Sequence, residues 1–155
     1  MIKCVMFDFG NVIGIFDTPR WYDFIRKNRG NCLEPHEMFA GSLKSDLMDY
    51  DLGKLSDVEY YSRTRLAYRV SVLTMKDFFD EFVTVLNIDR KMLDIIRGLR
   101  EKGVITVLIT NMNPAHAGHI RRYFPEVMES FDCKMISCEE KVAKPDPEAW
   151  LRPLD

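Results

Sequence analysis

The stretch Ile2–Val12, IKCVMFDFGNV, constrains the fold more than any other. Cys4, Val5, Met6 and Phe7 are apolar without alternation. Both faces of such a strand must be covered, as in a parallel sheet layered with helices. The run ends on one carboxylate, Asp8, followed at once by Gly10 and Asn11. An acidic side chain at the carboxyl end of a buried strand sits where open α/β sheets bind their ligands. The residues alone also allow Asp8 a role as a helix or turn cap. Val104–Thr110, VITVLIT, is β-branched and apolar throughout and reads as a second buried strand. Lys134–Ser137 reads as a short third one.

Between the first two strands the pattern is helical. Thr18-Pro19 suits a helix start, and Trp21, Phe24 and Ile25 share a face. Phe39, Leu43, Leu47 and Tyr50 repeat at helical spacing. Ser56 with Glu59 is a capping box, and Thr74 with Asp77 resembles another start. Met75, Phe78, Phe79, Phe82, Val83 and Leu86 form the stripe that follows. The segment from Asp17 to Ile88 is therefore expected to hold helices and no strands. At roughly seventy residues it is too large for a simple crossover between parallel strands and reads as an inserted subdomain. Asp89 then caps a helix whose Met92, Leu93, Ile95, Ile96 and Leu99 face the core, and Lys102-Gly103 stops it. Asn111–Pro114 is a turn into a helix through Ile120, Tyr123 and Phe124. Pro147 suits the first turn of a last helix, in which Pro153 is badly placed. No internal repeat is visible.

Composition narrows the function classes. The chain has 155 residues, a net charge of −2 and an isoelectric point near 5.9, which gives no long-range attraction for nucleic acid or anionic lipid. No apolar run approaches a membrane span, and the first one stops at Asp8, too early for a signal peptide. Cys4, Cys32, Cys133 and Cys138 form no CxxC pair, so a reducing, cytoplasmic setting without a disulfide framework is expected. Cys133 and Cys138 alone do not make a zinc site.

Asp8, Thr110 and Lys144 fall at the ends of predicted parallel strands or in the loop just beyond. A carboxylate nucleophile, a hydroxyl donor and an ammonium suit attack on a phosphoryl group. Asp8 can form an acyl-phosphate. Thr110 and the backbone near Asn111 can bind phosphoryl oxygens, and Lys144 can neutralise charge. Mg²⁺ fits Asp8 together with a backbone carbonyl. His116 and His119 lie three apart on a predicted helix, but no third metal ligand is evident near them. Trp21, Phe39 and Tyr50 read as core rather than substrate contacts.

These motifs carry a resemblance. FDFGNVI, VLITN and VAKPDPEAW resemble, in order and spacing, the first three motifs of the haloacid dehalogenase (HAD) superfamily of hydrolases. The resemblance implies a Rossmann-like α/β fold, a three-layer parallel sheet core formed by residues 1–16 and 89–155. It implies an α-helical cap over 17–88, where LMDYDLGKLSDVEY is similar to a stretch common in such caps. It implies Asp8 as nucleophile, Thr110 and Asn111 as phosphate-binding residues, Lys144 as the charge-neutralising lysine, and Mg²⁺ on Asp8 and the Gly10 carbonyl. The expected activity is Mg²⁺-dependent hydrolysis of a small phosphorylated metabolite.

Three departures from the family pattern bear on this. Gly10 stands where many of the phosphatases carry a second Asp as acid/base, so no side chain there can protonate a leaving oxygen. Lys141 stands where a Gly is usual. The fourth motif, an acidic pair after another strand, has no counterpart before Asp155. The C-terminal strands of the core are therefore expected to be missing, with Cys4–Phe7 an open edge prone to self-association. Two rival readings follow: a 2-haloacid dehalogenase, and a catalytically silent interaction module. The residues disfavour a dinucleotide site, since Gly10 and Gly14 do not make the GxGxxG spacing. A phosphorelay receiver shares the Asp, Thr and Lys but has no insertion of this kind.

Overall fold

Three parallel strands form the main sheet of the computed structural model, which describes residues 2–28, 41–68, 70 and 72–154. Phe39, Cys32 and Asp155 lie outside these residues. The strands β1 (Cys4–Phe7), β4 (Ile105–Thr110) and β5 (Cys133–Ile136) stand in the order β1-β4-β5. Phe7 is in register with Leu108, and Thr110 with Ile136. Asp8 and Thr110 are thereby brought to the same edge of the sheet. Among the described residues β1 pairs only with β4.

The absence of alternation in β1 and β4 has the expected cause, since both faces are covered. Phe7, Leu108 and Ile136 pack on one side with Leu93 and Ile96 of α5 (Arg90–Glu101) and Ile120 of α6 (Pro114–Tyr123). Met6, Ile109 and Met135 pack on the other with Val142 and with Ala149 of α9 (Pro147–Leu151). This is a three-layer arrangement, helices on both faces of a parallel sheet. The short α7 (Pro125–Glu129) and α8 (Ser137–Glu140) flank β5, and Pro153 lies in a 3-10 turn after α9.

The helical segment comprises α1 (Thr18–Lys27), α2 (Gly41–Asp51), α3 (Asp57–Tyr68) and α4 (Met75–Thr84). Its cluster of buried side chains is separate from those of the sheet. Tyr50 stacks on Tyr60 with centroids 4.2 Å apart, and Trp21 meets Phe78 edge to face. The caps are where the sequence puts them. Thr74 Oγ1 accepts from the Asp77 N–H, Asp89 Oδ1 from Lys91 and Met92, and Ser56 and Glu59 cap reciprocally.

The expectation of a strandless segment fails at its last residues. Leu86–Ile88 is a strand, β3, paired antiparallel with β2 (Gly14–Phe16). The two ends of the insertion thus form one ladder, extended by Asp17 N–H to Val85 O and Asp89 N–H to Ile13 O. Three residues per strand are too few to show a period, and the partner is distant in sequence. Leu86 accordingly leaves the α4 stripe. Ile95, expected to face the core, is exposed, because α5 buries only a narrow stripe. Cys4, Cys133 and Cys138 are free thiols. Among the described residues no helix is long and apolar enough to cross a membrane.

Candidate active site

Lys144 Nζ lies 2.7 Å from Asp8 Oδ2. Neither residue could be aligned with the other by local structure alone. Asp8 follows β1, and its Oδ1 accepts the Phe9 N–H at 2.7 Å, which fixes the carboxylate at the strand tip. Lys144 is in the loop before α9 and is held by its backbone. Asn111, just past β4, donates from Nδ2 to Lys144 O (2.9 Å) and accepts the Lys144 N–H on Oδ1 (2.8 Å). The Asn111 side chain is thus a positioning group for the lysine, while the phosphate contact expected from the sequence is one for the backbone near Asn111. The Asp8 side chain is 46% exposed and Lys144 17%, so the carboxylate stays open to a ligand while its counter-ion is sheltered.

Beside this pair lies a cavity of about 310 Å³ between the sheet and the helical segment. Gly10, Thr110 and Asn113 line its polar end, and Trp21, Phe16 and Phe82 its apolar wall. The Thr110 hydroxyl has no hydrogen-bond partner among the described residues and is available to a ligand. Trp21 is both core and cavity wall, so the core reading holds fully only for Tyr50. The Gly10 turn is tight. Phe9 O accepts from Val12, Ile13 and Gly14, and Asn11 adopts a left-handed φ of 57°.

Two titratable groups of the cavity were not distinguished in the sequence as site residues. Asp51 ends α2 in the DYDLGK run. Its Oδ1 accepts from Asn113 Nδ2 at 3.1 Å, and its backbone carbonyl accepts from Ser137 Oγ. Burial pushes its carboxyl up to about 6. His116 is buried, with Nε2 3.0 Å from Phe82 O and Nδ1 3.0 Å from Asn113 Oδ1. Burial lowers its pKa to about 4. The Nε2–H form satisfies the Phe82 carbonyl near the end of α4. His119 instead packs against Tyr123 and Phe124, so the two histidines do not converge on a metal. The only cue to Asp51 in the sequence was an acid next to the Leu-Gly turn of a cap-like stretch.

The two shifts act oppositely on stability. Asp51 is raised, so its contribution is complete below about pH 4 and lost as pH rises through about 6. His116 is lowered, so its contribution is complete above about 6.5 and lost as pH falls through about 4. Each is of order 3 kcal/mol. Asp51→Asn is therefore expected to raise Tm at pH 8 by several degrees and to leave it unchanged at pH 4. Thermal denaturation monitored by circular dichroism at both pH values checks this.

For a divalent cation the candidate donors are the half-exposed Asp8 carboxylate and the Gly10 carbonyl. No group of three or more His, Cys, Asp or Glu able to hold a metal occurs among the described residues. One carboxylate and one carbonyl fit Mg²⁺, which keeps several waters and takes substrate phosphate as a further ligand. They do not make a closed, all-protein site.

A parallel three-layer sheet that carries Asp8 and Thr110 at the carboxyl ends of adjacent strands, with Lys144 against Asp8, has the layout of a haloacid dehalogenase-like hydrolase. The family model for haloacid dehalogenase-like hydrolases matches residues 2–154, and the chain belongs to this family. The HAD family enzyme BT-2542 from Bacteroides thetaiotaomicron superposes with a TM-score of 0.83 at 25% identity, over 97% of this chain and 76% of that one. The same enzyme has been solved in complex with magnesium and inorganic phosphate, with a TM-score of 0.82 at 25% identity over 98% and 77% of the two chains. The L-2-haloacid dehalogenase from Xanthobacter autotrophicus, with chloropropionic acid covalently bound, shares the fold at 17% identity and a TM-score of 0.59, over 98% and 63%.

Proposed function

We propose that the chain is a Mg²⁺-dependent phosphatase that hydrolyses a small phosphomonoester through an aspartyl-phosphate on Asp8. The observation that carries this is the Asp8–Lys144 pair, 2.7 Å apart, whose chain neighbour Phe9 and positioning residue Asn111 line a cavity together with Thr110. A carboxylate oxygen of Asp8 attacks phosphorus, a P–O bond forms, and the bond to the ester oxygen breaks. Water then adds to phosphorus and releases Asp8 as the free carboxylate. Lys144 offsets the negative charge of the phosphoryl group, and the Thr110 hydroxyl donates to one of its oxygens. Mg²⁺, held by Asp8 and the Gly10 carbonyl, would neutralise phosphoryl charge when bound. The helical segment acts as a cap that excludes water from the cavity.

The relative solved with magnesium and phosphate supports this reading over the dehalogenase one, since attack on carbon needs no cation. Removing divalent metal with a chelator is expected to lower phosphate release about 10²-fold or more, with recovery on adding Mg²⁺. Activity indifferent to the chelator, with halide released from 2-haloacids, would favour the dehalogenase. The three free thiols support a reducing, cytoplasmic setting. The outer edge of β1 supports pairing between two copies of the chain. A monomeric mass at every concentration in sedimentation contradicts that pairing.

A further inference from the structure

We propose that Asp51, carried on the helical segment, is the group that protonates the leaving oxygen of the phosphomonoester. The proposal rests on the phosphatase reading and adds the step that reading leaves open. Breaking the P–O bond leaves an alkoxide, which is a poor leaving group unless a positioned acid supplies a proton. Gly10, the residue two after Asp8, has no side chain to do this. The proton must come from elsewhere in the site.

Asp51 is the only carboxyl that lines the cavity among the described residues. It shares that cavity with Phe9 and Gly10, the two residues that follow Asp8, and with Thr110. Its placement is built rather than incidental. Ser137 Oγ donates to its backbone carbonyl and accepts the Met112 N–H, which ties the end of α2 to the loop after β4. Asn113, two residues past Asn111 on that loop, holds Oδ1. Oδ2 has no hydrogen bond among the described residues and can carry the proton toward the cavity.

The other titratable groups facing Asp51 are poorer donors. Tyr60 on α3 and Cys138 on α8 are both pushed up by burial, Cys138 to about 11. His116 on α6 has both ring nitrogens set against protein acceptors, Phe82 O and Asn113 Oδ1, and has no N–H aimed at a substrate. Lys141 directs its ammonium to the carbonyls of Gly53 and Cys138. A carboxyl near 6 is matched to proton transfer close to neutral pH. The balance closes over two steps. Asp51 gives its proton to the ester oxygen as the P–O bond breaks, and the alcohol departs. Asp51, now a carboxylate, takes a proton from the water that attacks the aspartyl-phosphate, which restores both residues.

The test compares Asp51→Asn with the unaltered full chain on two kinds of ester. One is p-nitrophenyl phosphate, whose phenolate leaves without help. The other is a set of simple alkyl phosphates, whose alkoxides need a proton. Expected is a loss in kcat/KM of about 10²- to 10⁴-fold on the alkyl esters and less than about tenfold on the nitrophenyl ester. The limb of the wild-type pH profile that falls as pH rises through about 6 should vanish in the variant. Equal losses on both kinds of ester, with the limb retained, would mean that Asp51 only shapes the cavity, and would overturn the proposal. A ¹³C NMR titration of the Asp51 carboxyl in the wild-type chain gives a readout independent of turnover. Titration near 6 supports the assignment even where the variant misfolds. Titration in the ordinary carboxylate range overturns it and leaves the phosphatase reading standing. A wild-type chain that releases no phosphate from any ester overturns both.

Discussion

Asp8→Asn is expected to abolish phosphate release, by about 10⁴-fold or more, with the fold retained. The amide is nearly isosteric but carries no charge and cannot form the acyl-phosphate. Its loss should cost little stability. The Asp8 side chain is 46% exposed, and an ion pair of that exposure contributes only about 0–1 kcal/mol. Lys144 would also stay in place, because both of its backbone groups are bonded to the Asn111 side chain rather than to Asp8. Phosphate release, measured beside the circular dichroism spectrum and Tm, separates chemistry from folding. Acid-quenched wild type should carry one phosphoryl group that maps to Asp8 by mass spectrometry, and the variant none. Turnover within tenfold of wild type in Asp8→Asn would remove the nucleophile assignment.

Gly53→Ala should give the largest loss of stability, about 2–4 kcal/mol, or roughly 5–15 °C in Tm. Gly53 closes α2 with φ of +61°, a conformation that a side chain makes costly. An added Cβ would also lie 2.3 Å from Lys141 Nζ and 2.4 Å from the Cys138 carbonyl oxygen. The lysine end can swing aside, but the carbonyl belongs to the backbone of α8 and cannot. The contact matters because it is a seam between helical segment and sheet. Lys141, itself left-handed at φ 59°, donates to Gly53 O and Cys138 O, both at 2.8 Å. Lys141 thus accepts a left-handed backbone and fastens the helical segment to α8. Gly118→Ala on α6 is the control. A Cβ added there would meet nothing within 4 Å, and a helix interior gains about 0.5–1 kcal/mol from that change. Denaturant melts of the three proteins check the order Gly118→Ala, wild type, Gly53→Ala.

Local chemistry was legible along the chain. Thr74, Asp89 and the Ser56–Glu59 pair act as caps because capping involves residues two or three apart. The strands β1 and β4 showed themselves through unbroken apolar runs, since burial on both faces removes alternation. Asp8, Thr110 and Lys144 could be named because each ends or follows such a strand, and parallel pairing brings those ends to one edge. The β2–β3 ladder was hidden because each strand has three residues and its partner lies across the whole insertion. Ile95 misled because an apolar residue at the rim of a helical stripe need not be covered.

The order of the three main-sheet strands and the longer helices, several helix starts and the carboxylate at the first strand tip were determined by sequence alone, because propensity, capping and burial pattern act over a few residues. Tertiary structure alone decided that Asn111 grips the Lys144 backbone, that Lys141 joins the two layers, and that Asp51 faces the cavity. Each of those contacts spans more than thirty residues of chain. Whether a side chain grips, bridges or is desolvated depends on what the folded chain sets against it, and no local pattern records that.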